Sequence, residues 1–263
     1  MTESRTQAAL PGADFHLLKS NIADDEFEVS VAELRNELES GKRLLVVYML
    51  DANLIFASVV QTAWLMMFAR QLPEMIVVGI GRPVGSILAD PVATQKYVDL
   101  RTWHLTPTAE STGRGGGAEK YLGFIRDELI PFVDSNYPTN PEDRTLLGGS
   151  LSGLFSLYVL LRRPEAFNRY VAGSPALGWD NAVINQYERE FAVGRSSLPV
   201  KLFTSVASDE PPIVTGVEEM VETLKGRNYA GLELTLDKFD GETHVSVSGH
   251  TMSRGLRAVF KDG

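Results

Sequence analysis

Two continuous apolar runs place the strongest constraint on the fold of this chain. Leu44–Leu50 and Met75–Ile80 contain no charged side chain. A strand with one face in water alternates apolar and polar residues, whereas a strand covered on both faces is apolar throughout. Strands of the second kind belong to parallel sheets with helices packed on both faces. The two runs therefore predict an α/β fold with a buried, mostly parallel central sheet.

Strand-like and helix-like segments alternate along the rest of the chain, as expected for this fold class. The strand candidates are Phe15–Leu18, Glu26–Val31, Leu44–Leu50, Met75–Ile80, Thr145–Leu147, Arg169–Ala172, Lys201–Val206 and Leu232–Lys238. The helix candidates are Gln61–Arg70, Ala118–Ser135, Ser152–Leu161, Val214–Lys225 and Met252–Phe260. The first two strands precede any helix, which predicts an antiparallel N-terminal edge. No repeat or linker divides the chain, so we expect a single domain over 1–263, with residues 1–13 flexible.

Two segments depart from the compact pattern. Gly81–Gly117 is rich in proline and glycine and shows little periodicity. Loops of this length in compact domains are usually functional or disordered, and we expect this one to border the site. Ala52–Ala69 is uncharged, but polar residues interrupt it and its second half has helical spacing. We expect a buried loop followed by a helix there, rather than a membrane span.

Composition excludes several classes of protein. The 263 residues include no cysteine, which removes disulfides, thiolate nucleophiles and cysteine-based metal sites. The net charge is −9, so the chain lacks the basic surface of a nucleic-acid-binding protein. We see no apolar segment near the N-terminus typical of a secretion signal. Together with the absence of cysteine, this leads us to expect a cytoplasmic protein.

The segment Leu146–Gly153 contains the clearest local signal of chemistry. A strand ends at Gly148-Gly149, Ser150 stands at the turn, and an apolar helix follows. This is the context of a nucleophile elbow, in which small residues flank the serine because strand and helix approach closely. The strict pattern has glycine where this chain has Ser152. The alternative is a Gly/Ser turn in which Ser150 or Ser152 only caps the helix.

Histidine and acid candidates follow the serine in the order typical of α/β-hydrolases. His244 lies in a turn-rich loop after the last strand candidate, where a general base can be both mobile and oriented. His250 is nearer the final helix and is the weaker candidate, while His16 and His104 precede the serine and are assigned structural roles. The acid should leave the strand Lys201–Val206, and the adjacent carboxylates of Asp209 and Glu210 both satisfy this condition.

Other clusters do not indicate a cofactor. Gly113–Gly117 lacks the Lys-Ser/Thr pair of a phosphate-binding loop and does not follow a strand. The acidic clusters Asp24–Glu26 and Glu218–Glu219 have no convergent ligand spacing and are assigned to solvated surfaces. The sequence therefore implies no cofactor and no metal.

A family resemblance adds to these residues. The chain resembles the esterase-D-like branch of the α/β-hydrolase superfamily, and in particular the enterobactin and salmochelin ester hydrolases. The matching segments are Val47–Asn53, Leu105–Pro107, Gly117–Pro131, Gly148–Tyr158, Ser174–Asp180 and Gly241–His244. They span nearly the whole chain in the family's order. The chain departs from the family pattern at Ala52, His104 and Gly178.

The resemblance implies roles for individual residues. Spacing from Val206 in the family favours Glu210 over Asp209 as the acid. The backbone N–H of Leu151 and that of Asn53 are implied as the two donors of the oxyanion hole.

Three further residues are substrate-binding candidates near the expected site. These are Trp103, His104, which is also a candidate for the pocket rim, and Trp179. Gly178 leaves room there for a larger leaving group.

The sequence thus predicts a serine-dependent carboxylic ester hydrolase with the α/β-hydrolase fold, acting through an acyl-enzyme on a small metabolite ester. We expect this ester to be uncharged or weakly charged, because no basic cluster appears in the candidate loops. We expect neither nucleic acid nor a membrane as partner. A thioesterase or acyltransferase on the same fold, or a non-catalytic binding protein, are the alternatives.

Overall fold

Eight strands form one mixed sheet in the computed structural model, which describes residue 10 and residues 12–36, 41–85 and 87–261. All eight predicted strands are present, and the fifth is longer than predicted. They are β1 Ala13–Ser20, β2 Asp25–Leu34, β3 Leu44–Leu50, β4 Met75–Gly81, β5 Thr139–Gly149, β6 Arg169–Gly173, β7 Lys201–Ala207 and β8 Glu233–Phe239.

The strand order is β1-β2-β4-β3-β5-β6-β7-β8. Neighbouring strands from β4 to β8 pair in parallel. The pairs β1–β2 and β2–β4 are antiparallel. The prediction of a mostly parallel sheet with an antiparallel N-terminal edge is therefore confirmed.

Helices cover both faces of the sheet. They are α1 Ala52–Phe68, α2 Pro91–Leu105, α3 Ala118–Phe124, α4 Ile130–Asn136, α5 Leu151–Arg162, α6 Trp179–Ala182, α7 Ile184–Ala192, α8 Pro211–Gly226 and α9 Val247–Phe260. Helices α1 and α9 pack on one face, while α5 and α8 pack directly on the other. Helix α2 packs against α3 and α5 on that second face.

The apolar runs behave as their composition predicts. In β3, Val46, Tyr48 and Leu50 belong to the core cluster beneath one layer of helices. Val47 and Met49, which point the opposite way, belong to the cluster beneath the other layer. All five are fully buried, so the strand has no face in water. Burial on both faces explains why the run contains no charged residue.

The prediction of one continuous loop over Gly81–Gly117 is wrong, because the segment contains the 15-residue helix α2. The helix begins with two recognisable signals. The Asp90 side chain accepts a hydrogen bond from the Val92 N–H at 2.9 Å, and Pro91 occupies the first helical position. Its apolar positions are too sparse to give a clear period, which is why periodicity alone missed it.

Four helix predictions need smaller corrections. The segment 52–69 is helical from Ala52, and it exposes Leu54, Trp64 and Phe68 rather than burying a loop. The predicted helix from Ala118 contains a π-helical turn, Ile125–Leu129, before α4. Helices α8 and α9 begin earlier than predicted, while α6 and α7 were not predicted. No helix in the described part of the chain is long and apolar enough to cross a membrane.

The expected flexibility of residues 1–13 stays a prediction, because residues 1–9 and 11 lie outside the described residues. Leu10 packs against the core cluster that includes α1, and its carbonyl accepts a hydrogen bond from the Ala13 N–H at 3.3 Å.

The parallel strands place several chain reversals at one edge of the sheet. Asp51 follows β3, Ser150 follows β5, and Ser174 follows β6. Glu210 and His244 come shortly after β7 and β8. Ligand sites in open α/β sheets lie at the carboxyl ends of the strands, so this edge is where a functional site is expected.

Candidate active site

Ser150 occupies a strained turn between β5 and α5. Its φ of 59° and ψ of −122° lie in a region that L-residues rarely adopt. Backbone contacts support this conformation from several sides. The Ser150 N–H donates to the Gly173 carbonyl at 2.8 Å, and the Ser150 carbonyl accepts from the Leu154 and Ala176 N–H groups. The turn has the geometry of a nucleophile elbow.

Gly148 is required by the closeness of the helix. A Cβ atom at this position would lie 2.4 Å from the Ser152 carbonyl oxygen, so any other residue would force the strand and helix apart. The small residues that mark this motif in the sequence thus have a direct steric cause.

Three side chains from different strand ends form one hydrogen-bonded chain. The Ser150 Oγ lies 2.9 Å from His244 Nε2, and His244 Nδ1 contacts Glu210 Oε1. Glu210 is buried, while the His244 side chain is 40% exposed. The arrangement places an oriented imidazole between a buried carboxylate and a serine hydroxyl, which is the geometry of a general base beside a nucleophile.

The structure separates the competing candidates. Asp209 has an exposed side chain, and its backbone N–H donates to the Glu242 carbonyl. His250 lies against the Phe239 ring and 3.0 Å from Glu242 Oε1, so it is engaged elsewhere. Of the two adjacent carboxylates, Glu210 is the one brought to His244.

Ser174 is a member of this cluster for which the sequence suggested no role. Its Oγ donates to Glu210 Oε2 at 2.9 Å, so both carboxylate oxygens of Glu210 are occupied. Ser174 is buried and follows β6 directly, and its φ is 34°. A serine immediately after a parallel strand, on the strand next to that of Ser150, is the signal that could have found it.

Two helices begin at this edge and supply backbone donors. Leu151 is the first residue of α5, and Asn53 is the second residue of α1. N–H groups in the first turn of a helix have no partner within the helix and favour negative charge. The Asn53 side chain is used in the fold, because its Nδ2 donates to the Arg82 carbonyl and its Oδ1 accepts from the Arg82 N–H. Only the backbone of Asn53 is thus suited to a substrate.

Asp51 lies behind these donors and is the centre of a buried polar cluster. Its carboxylate accepts from Arg101 Nε at 2.8 Å and Nη2 at 2.7 Å, from the Tyr97 hydroxyl at 2.9 Å, and from Ser152 Oγ at 2.8 Å. Burial by itself would raise the pKa of Asp51, but the Arg101 charge and the hydrogen bonds outweigh it and hold that pKa below its ordinary value. Asp51 is therefore ionised and paired at neutral pH.

Residues 106–117, which connect α2 and α3, contact Trp179 and Asp180 beside this edge of the sheet. Trp179 Nε1 donates to the Thr108 carbonyl at 2.9 Å. The Asp180 carboxylate accepts from the backbone N–H groups of Ser111 at 2.6 Å and Glu110 at 3.1 Å. These contacts attach residues 106–117 to the segment that follows β6. A side chain in place of Gly178 would meet only open space.

Trp103 is 44% exposed and its carbonyl accepts from the Gly117 N–H. Its binding of substrate, like that of Trp179, stays a prediction.

His104 lies in the core, which agrees with the structural role assigned to it, and the expectation that it also reaches a pocket rim and binds substrate is wrong. Its side chain is 1% exposed and packs on the rings of Phe27 and Tyr121 at 5.2 Å. Burial and the Arg82 charge lower the pKa of His104 from 6.5 to about 3, against the opposite effect of its bond to the Leu100 carbonyl. Asp25 Oδ2 is 3.4 Å from Nε2. The effect of burial on the pKa is the largest, because a charged imidazole would lose its hydration among aromatic rings.

No group of three or more His, Asp or Glu side chains in the described ranges converges on a point where a metal ion could bind.

A serine on a strand-to-helix turn beside a histidine from a later loop is the arrangement of the α/β-hydrolases. A solved structure shares the fold. The crystal structure of the BES protein from Bacillus cereus superimposes with a TM-score of 0.86 over 100% of both chains, at 23% identity.

Sequence comparisons identify the family to which the chain belongs. A family model described as "Putative esterase" matches residues 20–211. The chain is 30% identical to the ferri-bacillibactin esterase BesA of Bacillus subtilis, over 97% of this chain and 92% of that protein. It is 28% identical to the siderophore triacetylfusarinine C esterase of Aspergillus fumigatus, over 100% of this chain and 98% of that protein. The chain belongs to this esterase family and is a carboxylic ester hydrolase.

The buried histidine generates a testable prediction about pH. Below pH about 6.5 His104 is protonated in the unfolded chain but not in the folded protein. The unfolded state then binds more protons, so the free energy of unfolding decreases as the pH is lowered. Between about pH 7 and pH 5 the wild type should lose about 2 kcal/mol more free energy of unfolding than His104→Gln, whose side chain is neutral throughout. Urea unfolding of both proteins at the two pH values measures this difference. Parallel losses would show that His104 is protonated in the folded protein.

Proposed function

We propose that the protein is a serine ester hydrolase in which Ser150 is the nucleophile, His244 the general base and Glu210 the residue that orients the imidazole. The observation that carries the proposal is the hydrogen-bonded chain from Ser150 Oγ through His244 to Glu210 at the carboxyl edge of the sheet. The strained turn at Ser150 supports it, because such strain is maintained where the backbone must present a reactive side chain.

The geometry supports a two-step reaction. His244 Nε2 accepts the Ser150 hydroxyl proton as Oγ attacks the ester carbonyl, and the backbone N–H groups of Leu151 and Asn53 stabilise the oxyanion. Collapse of the tetrahedral intermediate breaks the ester C–O bond, and the proton on Nε2 passes to the departing alkoxide. Water then repeats the sequence on the acyl-enzyme, releases the acid and restores Ser150. Each N–H donor contributes a factor of roughly 10²–10³ to the rate.

The acid assignment follows from contact and burial together. Imidazolium forms during the reaction, and a buried carboxylate in contact with Nδ1 stabilises that charge more strongly than an exposed one. Glu210 satisfies both conditions, and its second oxygen is held by Ser174. Asp209 satisfies neither, since its side chain is exposed to solvent.

The same acyl-enzyme could pass its acyl group to another acceptor, or could form from a thioester. Hydrolysis is the activity that family membership supports, and a fully assembled Ser–His–Glu chain argues against a non-catalytic binding protein. For the substrate we propose an ester of the siderophore type. The names of two curated relatives, a ferri-bacillibactin esterase and a triacetylfusarinine C esterase, support this class.

The charge of the protein bears on whether it should prefer the ferric or the metal-free form of such a substrate. The whole chain has a net charge of −9. Two cations in the described part of the chain lie beside Asp51 and Asn53. Arg101 is paired with Asp51, and Arg82 is buried against the rings of Phe27 and Tyr121. Arg114, in the segment before α3, is 2.8 Å from Asp99. Catechol hydroxyls lose their protons when they bind ferric iron, so a ferric catechol siderophore is more anionic than its metal-free form. On this charge argument we propose that the less charged, metal-free form is the better substrate, in contrast to the ferric form for which the Bacillus subtilis relative is named.

Replacement of Ser150 by alanine should remove both hydrolysis and covalent labelling. The variant loses the nucleophile of a cooperating triad, and kcat should fall by on the order of 10⁶. A fluorophosphonate probe followed by peptide mass spectrometry should modify Ser150 in the wild type and nothing in the variant. Retention of a tenth of the activity, or a label on Ser152, would show that the nucleophile has been assigned to the wrong serine.

Glu210→Gln and Asp209→Asn form a matched pair for the acid. The first should lower kcat/KM by on the order of 10⁴, because the amide does not stabilise the imidazolium. The second should change kcat/KM by about twofold at most, since it alters an exposed side chain. The measurement is hydrolysis of p-nitrophenyl acetate by both variants and the wild type. Equal losses, or a larger loss at Asp209, would reverse the assignment.

A substrate panel tests the proposed class. The wild type should hydrolyse p-nitrophenyl acetate and butyrate, and should cleave metal-free enterobactin with a higher kcat/KM than its ferric complex. Activity should fall for long acyl chains. Ser150→Ala serves as the blank, and chromatography separates the hydrolysed products. Turnover of aryl esters with none of either enterobactin form would contradict the substrate class, whereas faster turnover of the ferric complex would contradict the charge argument.

A further inference from the structure

Ser152 is the residue at which the chain departs from the strict elbow pattern, and the proposed reaction does not use it. Its side chain is buried, and its Oγ accepts a hydrogen bond from the Gly149 N–H at 2.9 Å. The same oxygen lies 2.8 Å from Asp51 Oδ2 and 2.7 Å from the Gly149 carbonyl. Glycine at this position could make none of these contacts. The hydroxyl therefore links the elbow to a residue about 100 positions earlier in the chain.

Ser156 shows what an ordinary serine in this helix does. It is also fully buried and lies one turn further along α5. Its Oγ donates to the Ser152 carbonyl at 2.9 Å, which is the usual bond of a serine within a helix. The contrast between the two serines separates the link to Asp51 from the general effect of a buried hydroxyl.

Asp51 stands at the start of the other helix that faces the site. Its φ of 58° is left-handed, so the chain turns sharply between β3 and α1 just as it does at Ser150 between β5 and α5. Strands β3 and β5 are hydrogen-bonded neighbours, so these two turns are adjacent. Asn53 is two residues beyond the first turn, and Leu151 is one residue beyond the second.

Arg101 contacts both turns. It forms a two-bond ion pair with Asp51, and its Nη2 also lies 3.3 Å from the Gly149 carbonyl. Tyr97, one turn earlier on α2, donates to the same carboxylate. Helix α2 therefore reaches the ends of β3 and β5 through two side chains that converge on Asp51.

We propose that Ser152, Asp51, Arg101 and Tyr97 are positioning residues that set the distance between the Leu151 and Asn53 N–H groups of the oxyanion hole. This inference rests on the proposed function of the site. The hydrogen bonds join the two turns from which these donors emerge, so the donors are oriented before substrate binds. Preorganised donors are effective because they need no rearrangement as charge develops.

The ion pair has a second consequence for the same donors. A buried carboxylate two residues before Asn53 would oppose the negative charge that forms on the substrate oxygen, unless a cation compensates for it. The bidentate contact from Arg101 supplies that compensation within hydrogen-bond distance of both carboxylate oxygens. Asp51 can thus accept four hydrogen bonds from its neighbours without placing a net charge behind the hole.

Ser152→Ala tests the proposal, with Ser156→Ala as its matched control. Loss of the Ser152 hydroxyl should lower kcat about tenfold with KM unchanged, because a small displacement of a donor weakens binding of the transition state more than that of the substrate. The pH at which activity is half-maximal should not move, since His244 and Glu210 are untouched. Ser156→Ala should retain wild-type kcat. The melting temperature of each variant verifies that it is folded.

Affinity for a tetrahedral analogue provides a readout that simple destabilisation would not change. The inhibition constant of phenylboronic acid should increase in Ser152→Ala by about the factor by which kcat falls, while KM for p-nitrophenyl acetate stays constant. Tyr97→Phe, which removes one donor to Asp51 from the opposite side, should produce the same pattern to a smaller extent. Tyr97 lies on α2 and not in the elbow. If the Ser152→Ala effect were confined to the elbow, Tyr97→Phe would leave kcat and boronate affinity unchanged.

The outcomes distinguish this inference from the proposed function. If the wild type neither reacts with a fluorophosphonate nor hydrolyses esters, the proposed function fails. If the wild type is active and Ser152→Ala matches Ser156→Ala in kcat and in boronate affinity, the positioning role is wrong and the triad stands. A shift of the pH profile in Ser152→Ala, or an unaltered Tyr97→Phe, would also contradict the role assigned to the Asp51 cluster.

Discussion

Parallel pairing of β3, β5, β6, β7 and β8 is the constraint on which the rest of the molecule depends. Each strand in this set ends at the same edge, so each following turn presents its first side chains to the same region of space. Side chains as distant as Ser150 and His244, 94 positions apart, come within 2.9 Å for this reason. The pairing also requires helices on both faces, which accounts for the continuous apolar composition of β3 and β4.

The buried carboxylates near this edge have hydrogen-bond partners within the protein. Asp51 is neutralised by Arg101, and the buried Glu210 contacts His244 and Ser174. Buried ion pairs gain little stability over apolar packing, because the cost of removing two charges from water offsets most of their attraction. Their value in this protein is geometric, since a carboxylate that accepts several directed hydrogen bonds has few alternative positions.

The fold was accessible from sequence wherever burial dictated composition. Eight strands could be placed because apolar runs and alternation show which faces meet the core. Ser150 and His244 could be singled out because turn chemistry and chain order are local signals.

Other features were not predicted from the sequence. Helix α2 was missed because its apolar positions are sparse, although Asp90-Pro91 marks its start. For His104 the structural role was correct and the pocket role was not, because the sequence does not distinguish a histidine in a pocket from one in the core. The position of Ser174 after a strand could have drawn attention to it, but its partner Glu210 and the partners of Asp51 lie at distant strand ends, and a single sequence does not show such contacts.

The position of β8 has a consequence for how the enzyme loses activity. This strand is the outermost of the sheet, pairs with β7 alone among the described strands, and alternates exposed and half-buried residues. His244 follows it, whereas Ser150 follows the central strand β5. Peripheral elements open with a smaller free energy than the interior. Fraying at this margin would withdraw the imidazole while the sheet interior and the elbow stay intact. With His244 as the proposed base, we therefore expect activity to be lost on heating before the cooperative melting of the rest of the sheet.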